Sequence, residues 1–306
     1  MRLSKEVSAH LLLLAANLIF GISYTISKIP MPAYIQPLGL VFLRSVTAVL
    51  FFWSLHYFIK SPVKKQKIEP KDWFRLILAA LFGVAINQIL FFKGLELSQP
   101  ISASIIMTST PIAVLVVAIF IAHERLTWQK GLGLFLGLTG ALTLILSGDE
   151  RASAYAPNPS LGNIMILINA LAYAIYLVIS KKLIEKYDNM VFMKWVFTIG
   201  LVLVTPFGLQ EAFDARWSEM TTEVWLSIGF ILIFVSCLTY YFTTIGLNIL
   251  PSSTVGIYIY IQPVFAVLTA IILGADSLDL IKILAAVMIF LGVYLVSKTK
   301  RVHSRR

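Results

Sequence analysis

The chain has 306 residues, 58% of them hydrophobic and 13% charged, with mean hydropathy +0.86 and a formal net charge of +10. A soluble domain carries about 25% charged residues, so this composition excludes a dissolved globule, and bases scattered between apolar runs exclude a nucleic-acid surface. The single cysteine, Cys237, excludes a disulfide framework and any Cys-based metal cluster.

A helix crosses the hydrocarbon with ~20 mainly apolar residues, because lipid offers the backbone no hydrogen-bond partners. Ten such runs follow in chain order: 9–28, 38–59, 74–94, 100–122, 130–148, 161–181, 191–209, 224–246, 252–273 and 280–298. Turn and charge chemistry marks the breaks, with Pro30, Pro32 and Pro37 after the first run, Lys64-Lys65-Gln66-Lys67 after the second, and Gly148-Asp149-Glu150 through Pro159 after the fifth. The first run is too long and too polar for a signal peptide and lacks a small-residue cleavage site, so it reads as a span. With a cytoplasmic N-terminus and ten crossings, nineteen of the 25 Lys and Arg residues fall on the cytoplasmic side and five on the other. Arg44 alone lies well inside a span. This bias predicts both termini in the cytoplasm and an inner (plasma) membrane location.

The sequence is doubled. A shift of 152 residues brings Asn17 onto Asn169, Tyr24 onto Tyr176, Gly94-Leu95 onto Gly246-Leu247 and Pro111 onto Pro263. The same shift brings Glu124 onto Asp276, Leu126 onto Leu278, Lys130 onto Lys282 and Gly140 onto Gly292. A shift of 150 pairs Val41-Phe42-Leu43-Arg44 with Val191-Phe192-Met193-Lys194. The predicted fold is therefore an all-α polytopic membrane protein of ten transmembrane helices in two five-helix repeats. The boundaries are 1–148 and 161–298, with an outer linker 149–160 and a basic cytoplasmic tail 299–306. Five is odd, so the second repeat enters the membrane inverted. Inverted repeats are the architecture of alternating-access carriers, whose substrate sits near the midplane between the halves.

These residues also resemble a known family. Phe20-Gly21…Lys28 is similar to the Trp-Gly…Lys opening of the EamA family in the drug/metabolite transporter superfamily. Ser102-Ala103-Ser104…Pro111…Glu124-Arg125-Leu126…Gly131…Gly137…Gly140 resembles that family's fourth and fifth helices, and Tyr240, Pro263 and Leu278 to Gly292 resemble the second copy. The resemblance implies a ten-helix transporter that moves small metabolites or amino acids, usually outward. Two positions depart from the pattern: Phe20 replaces the common Trp, and the second Gly-Glu-x-Leu turn reads Gly274-Ala275-Asp276-Ser277-Leu278.

Polar groups inside a span are costly unless they are satisfied or functional. Asn17, Gly21, Tyr24 and Lys28 share one face of the first helix, and Asn169, Tyr173, Tyr176 and Ser180 repeat it in the sixth. Asn87, Gln88 and Phe91 correspond to Thr239, Tyr240 and Thr243. Each of these is either a substrate contact or a hydrogen bond between helices. Pro111 and Pro263 read as mid-span kinks that free the carbonyls of Met107 and Ile259, with Thr108, Ser109 and Thr110 beside one and Tyr258, Tyr260 and Gln262 beside the other. Arg44 either faces inward and attracts a substrate carboxylate or clamps helix-end carbonyls.

The candidate substrate-binding residues are thus Asn17, Tyr24, Arg44, Asn87, Gln88, Thr108, Thr110, Asn169, Tyr173, Tyr176, Tyr240, Tyr258 and Gln262. No Asp or Glu lies within a hydrophobic core, which favours neutral or zwitterionic substrates over cations. The sequence has no phosphate-binding Gly-x-x-x-x-Gly-Lys-Ser/Thr loop, and His123-Glu124-Arg125 lacks the second histidine of a zinc helix. The expectation is accordingly no enzyme, no metal and no cofactor. Its partners are the bilayer and a small-molecule substrate, with no nucleic acid, in a monomer or weak homodimer. The expected function is export of amino acids or related neutral and zwitterionic metabolites. The alternatives are a phosphorylated or nucleotide-linked sugar exchanger, which wants clustered cations where only Arg44 is found, and a passive channel.

Overall fold

The computed structural model describes residues 5–58, 66–121, 126–147, 153, 155–250 and 258–298. The basic stretch 60–65, Glu124-Arg125, residues 149–152 and 154 of the linker and the 299–306 tail lie outside the described residues.

Each of the ten apolar runs contains a helix. The first two are α1 (Lys5–Ile26) and α2 (Pro37–Phe58). A 3-10 turn at Pro70–Asp72 leads into α3 (Trp73–Ala80), which continues through a π-helical stretch, Leu81–Ala85, into α4 (Ile86–Leu97). The fourth run is broken into α5 (Pro100–Met107) and α6 (Thr110–Ile121), bent by 40°. There follow α7 (Trp128–Leu146), α8 (Pro159–Lys186) and α9 (Asn189–Phe213). The eighth run is α10 (Thr222–Gly229), a second π-helical stretch over Phe230–Leu238, and α11 (Thr239–Ile249). A 3-10 turn at Tyr258–Ile261 opens α12 (Gln262–Ile272), and α13 (Leu280–Lys298) closes the described chain. Among the described residues, eight helical runs are long and apolar enough to cross a bilayer, the bent α5–α6 pair makes a ninth, and Tyr258–Ile272 is shorter.

The helices pack as the doubling requires. α2 lies against α9 and α7 against α13, while α4 packs on α8, α1 on α11, α6 on α8 and α1 on α12. The first two pairs map onto themselves under the repeat shift, and the last four exchange. At the α7–α13 crossing a β-carbon on Gly133 would come within 2.6 Å of the Gly292 carbonyl, and one on Gly140 within 2.8 Å of the Ala285 carbonyl. A shift of 152 turns the first of these pairs into the second. The two helices are therefore antiparallel copies, which demands a two-fold axis perpendicular to both. For helices that cross the bilayer such an axis lies in the membrane plane, so the repeats are inverted. The same relation holds for α2 and α9, where Gly39 abuts Glu211 at one end and Phe52 stacks on Phe197 at 5.3 Å toward the other.

Polar contacts at the bundle ends fix the frame. The Glu211 carboxylate accepts from the backbone N–H groups of Leu38 (2.7 Å) and Gly39 (2.9 Å), capping α2 from the opposite repeat. Asp276, the residue that departs from the Gly-Glu-x-Leu pattern, accepts from the Ile101 N–H at the start of α5 (3.1 Å) and from the Lys282 ammonium. At the other end Lys186 binds Asp72 (2.6 Å) and Glu69 (2.7 Å), and the Tyr187 hydroxyl donates to Asp72 (2.6 Å).

Candidate functional site

Arg44 enters the bundle from the third turn of α2 and is 5% exposed. Its Nε donates to Ser236 Oγ at 2.8 Å, and its guanidinium carbon lies 4.6 Å from the centre of the Phe92 ring. Ser236 is placed by the second π-helical stretch, where its hydroxyl donates to the Ile231 carbonyl five residues back (2.9 Å) and so turns its lone pairs toward Arg44. The expected clamp on helix-end carbonyls is made instead by Lys28, whose Nζ donates to the carbonyls of Leu95 (2.9 Å), Glu96 (3.1 Å) and Ser98 (2.6 Å) under the Tyr155 ring. Lys93 pairs with Glu96 at 3.5 Å.

The Phe92 ring that contacts Arg44 begins a chain of aromatic contacts. Tyr24 meets Phe91 edge-on at 5.5 Å, and Phe91 meets Phe92. Tyr240 touches Phe20 (6.4 Å) and Phe197 (5.1 Å), and it lies within electrostatic reach of Arg44, Tyr173 and Tyr176. Tyr173 stacks on Tyr176 at 5.6 Å, and Tyr176 in turn covers Gly83 in the first π-helical stretch. The two π-helical stretches occupy equivalent places, since 81–85 shifted by 152 falls on 233–237, inside the second. π-helical turns recur at functional sites.

The polar candidates divide into committed and uncommitted groups. Asn17 donates to the Leu13 carbonyl (2.8 Å) and accepts from Gln262 Nε2 (2.8 Å), which ties α1 to α12. Asn169 donates to the Asn87 carbonyl, while its own Oδ1 is buried without a partner. Gln88, 4% exposed, also has a buried Oε1 without a partner. Buried amide oxygens of this kind are rare and ask for a donor. The Tyr258 hydroxyl pairs with His10 Nδ1 at 2.7 Å.

Thr108 and Thr110 are turned back onto their own helix, bonding the carbonyls of Ile105 and Met107 (both 2.6 Å). Thr110 thereby supplies the donor that Pro111 withholds from Met107, which is why the break at 108–109 is tolerated. Pro263 differs from its expected mid-helix place. It stands in the first turn of α12, directly after the 3-10 turn, where a missing N–H leaves no bond unmade.

Arg44 thus touches Phe92, which meets Phe91 and through it Tyr24, and it lies within electrostatic reach of Tyr240, which neighbours Tyr173 and Tyr176, while Asn17 and Gln262 bond each other across α1 and α12. Thr108 and Thr110 do not contribute their hydroxyls. Phe92 and Ser236 contact Arg44, and Phe197 contacts Tyr240; none of them carried a signal, for a serine inside Phe-Ile-Leu-Ile-Phe-Val-Ser-Cys-Leu has neither periodicity nor a matching residue in the first repeat.

An all-helical, membrane-spanning doublet with buried polar groups between its halves is a transporter architecture. The chain belongs to the EamA-like transporter family, whose model matches residues 7–146 and again 160–298. An uncharacterized transporter of Archaeoglobus fulgidus is 24% identical over 290 residues, covering 94% of this chain and 96% of its own length. The uncharacterized transporter YetK of Bacillus subtilis is 22% identical over 301 residues, covering 97% and 89%. A solved crystal structure shares the fold at TM-score 0.59 and 19% identity, covering 95% of this chain and 96% of that one. The protein is a membrane transporter of the drug/metabolite transporter superfamily, so it resides in a bilayer and binds small molecules.

Proposed function

We propose that this transporter exports neutral and zwitterionic metabolites, amino acids foremost, by alternating access of the two repeats around the Arg44 centre. The same reading places it in the inner membrane with both termini in the cytoplasm, in line with the Lys and Arg bias of its loops.

The observation that carries the reading is Arg44. Its Nε is committed to Ser236, and among the described residues its two terminal nitrogens have no hydrogen-bond partner. Those nitrogens form the edge that takes a carboxylate in two parallel bonds. An uncompensated cation held among rings suits a ligand with one negative group. The orphaned oxygens of Gln88 and Asn169 suit a donor such as an ammonium. Tyr24, Tyr173, Tyr176 and Tyr240 supply surface for an apolar side chain.

The test is counterflow in proteoliposomes with radiolabelled amino acids, the corresponding amino acid amides, neutral drugs and sugar phosphates. Saturable exchange of amino acids, lost in the amides that lack a carboxylate, is expected. Exchange confined to phosphorylated compounds overturns the substrate class, and flux without counterflow overturns the carrier mechanism.

A further inference from the structure

Two buried ammonium groups among the described residues, Lys28 and Lys282, find oxygen. Lys28 has three carbonyls, and Lys282 has Asp276 and the Ser277 carbonyl. Lys194 differs. It is 7% exposed, yet among the described residues its Nζ makes no hydrogen bond or ion pair. It has rings instead: Nζ is 4.7 Å from the centre of Trp53 and 5.9 Å from that of Trp195. Trp195 meets Trp53 edge-on at 5.5 Å and Trp73 at 5.1 Å, so indoles from α2, α3 and α9 wall the ammonium on one side. Trp53 is held in place by its Nε1 donating to Thr198 Oγ1 at 2.9 Å.

Rings attract a cation but accept none of its three N–H bonds in the usual sense. The sealed polar atoms without a partner are those of Thr25, Gln88, Asn169 and Ser180, so Lys194 Nζ keeps an open approach. Three carboxylates at this end of the bundle are engaged elsewhere. Asp72 and Glu69 bind Lys186, and Asp188 caps α9 through the Met190 N–H. The position adds the rest. Lys194 is five residues into α9, or ~7.5 Å from its end at 1.5 Å per residue. Trp53 turns 39% of its surface outward from the bundle. That is the depth and the facing of a lipid headgroup, at the level where indoles concentrate. Lys181 and Lys182 lie exposed on the last turns of α8, adding positive potential at this end of the molecule.

We propose that Lys194, walled by Trp53 and Trp195, is a binding site for the phosphate of an anionic phospholipid in the leaflet beside the 66–72 and 186–188 loops. The phosphate oxygens accept the ammonium's unused bonds, the indoles flank the glycerol backbone, and the lipid seals the α2–α3–α9 seam. The assignment does not depend on what the protein carries.

The experiment is thermal unfolding and native mass spectrometry of the purified full-length protein with phosphatidylglycerol, phosphatidylcholine or inorganic phosphate. In the wild type, phosphatidylglycerol is expected to raise Tm and to remain bound, while phosphatidylcholine and phosphate do neither. Lys194→Gln should weaken phosphatidylglycerol retention about tenfold, the loss of one charge-assisted contact. Lys194→Arg should keep it, as should the Lys181→Gln/Lys182→Gln control. Equal effects of phosphatidylglycerol and phosphatidylcholine on the wild type overturn the proposal without any variant. So does a Lys194→Gln protein that retains the lipid as well as the parent, and a free phosphate that reproduces the shift marks an oxyanion site in place of a lipid one.

Discussion

Arg44 and Lys28 illustrate two outcomes for a cation within or beside the spans. Lys28 is satisfied by the last carbonyls of α4, where an ammonium also meets the negative end of a helix dipole. Arg44 is held at one nitrogen and left incomplete at the others. Arg44→Lys tests whether that incompleteness is functional. The charge is kept and the paired edge is lost, so KM for carboxylate-bearing substrates should rise tenfold or more, from a contact of about 1.5–3 kcal/mol. Transport of substrates without a carboxylate should change little. Equal losses for both classes in counterflow would mark Arg44 as a packing residue. Much of this neighbourhood is legible in the sequence, because a lone arginine in an apolar run and Asn or Tyr at spacings of three and four stand out by polarity. Ser236 and Phe92 are not legible. Their roles come from a contact between α2 and two distant helices, and nothing in their own segments distinguishes them.

Helices carry their own lesson about what composition conceals. The broken fourth span is visible as Pro111, and the structure adds that Thr110 covers the freed Met107 carbonyl. Pro111→Ala restores the missing N–H, so the 40° bend should relax and the transport rate should fall while expression holds. Unchanged counterflow would show the bend to be mere packing. The π-helical stretches left no trace in sequence, since one extra residue per turn inside a wholly apolar run alters no pattern. Outside the spans, the Lys186 network titrates. Hydrogen bonds from the Lys186 and Lys71 ammoniums hold the Glu69 carboxyl below its usual range. A carboxyl depressed by folding contributes stability above its unfolded pKa, and that contribution disappears as pH falls through the folded value. Acid should therefore loosen the 66–72 loop from the α8 end, and Glu69→Gln should be slightly less stable at neutral pH and less acid-sensitive. Melting curves between pH 7 and 3 check this, and parallel curves for parent and variant would exclude the linkage.

For the molecule as a whole, the odd number of spans per repeat and the exchange of contacts at the α7–α13 crossing give one requirement: equivalent residues face opposite sides of the membrane. Leu126 and Leu278 are equivalent under the 152 shift and both are well exposed at helix approaches. Cys237 is the sole cysteine and is buried, so a Cys237→Ser background gives a clean reporter. The thiol of Leu126→Cys should react with a membrane-impermeant maleimide only from the cytoplasmic side, and that of Leu278→Cys only from the opposite side. Oriented vesicles and their inside-out counterparts provide the comparison. Labelling of both from one side would mean that α7 and α13 begin in the same compartment. In that case they could not be antiparallel copies, the axis could not lie in the membrane plane, and a site shared between inverted halves would lose its structural basis. Opposite labelling would leave Arg44 between two elements that the symmetry makes interchangeable, which is what rocking between two openings requires.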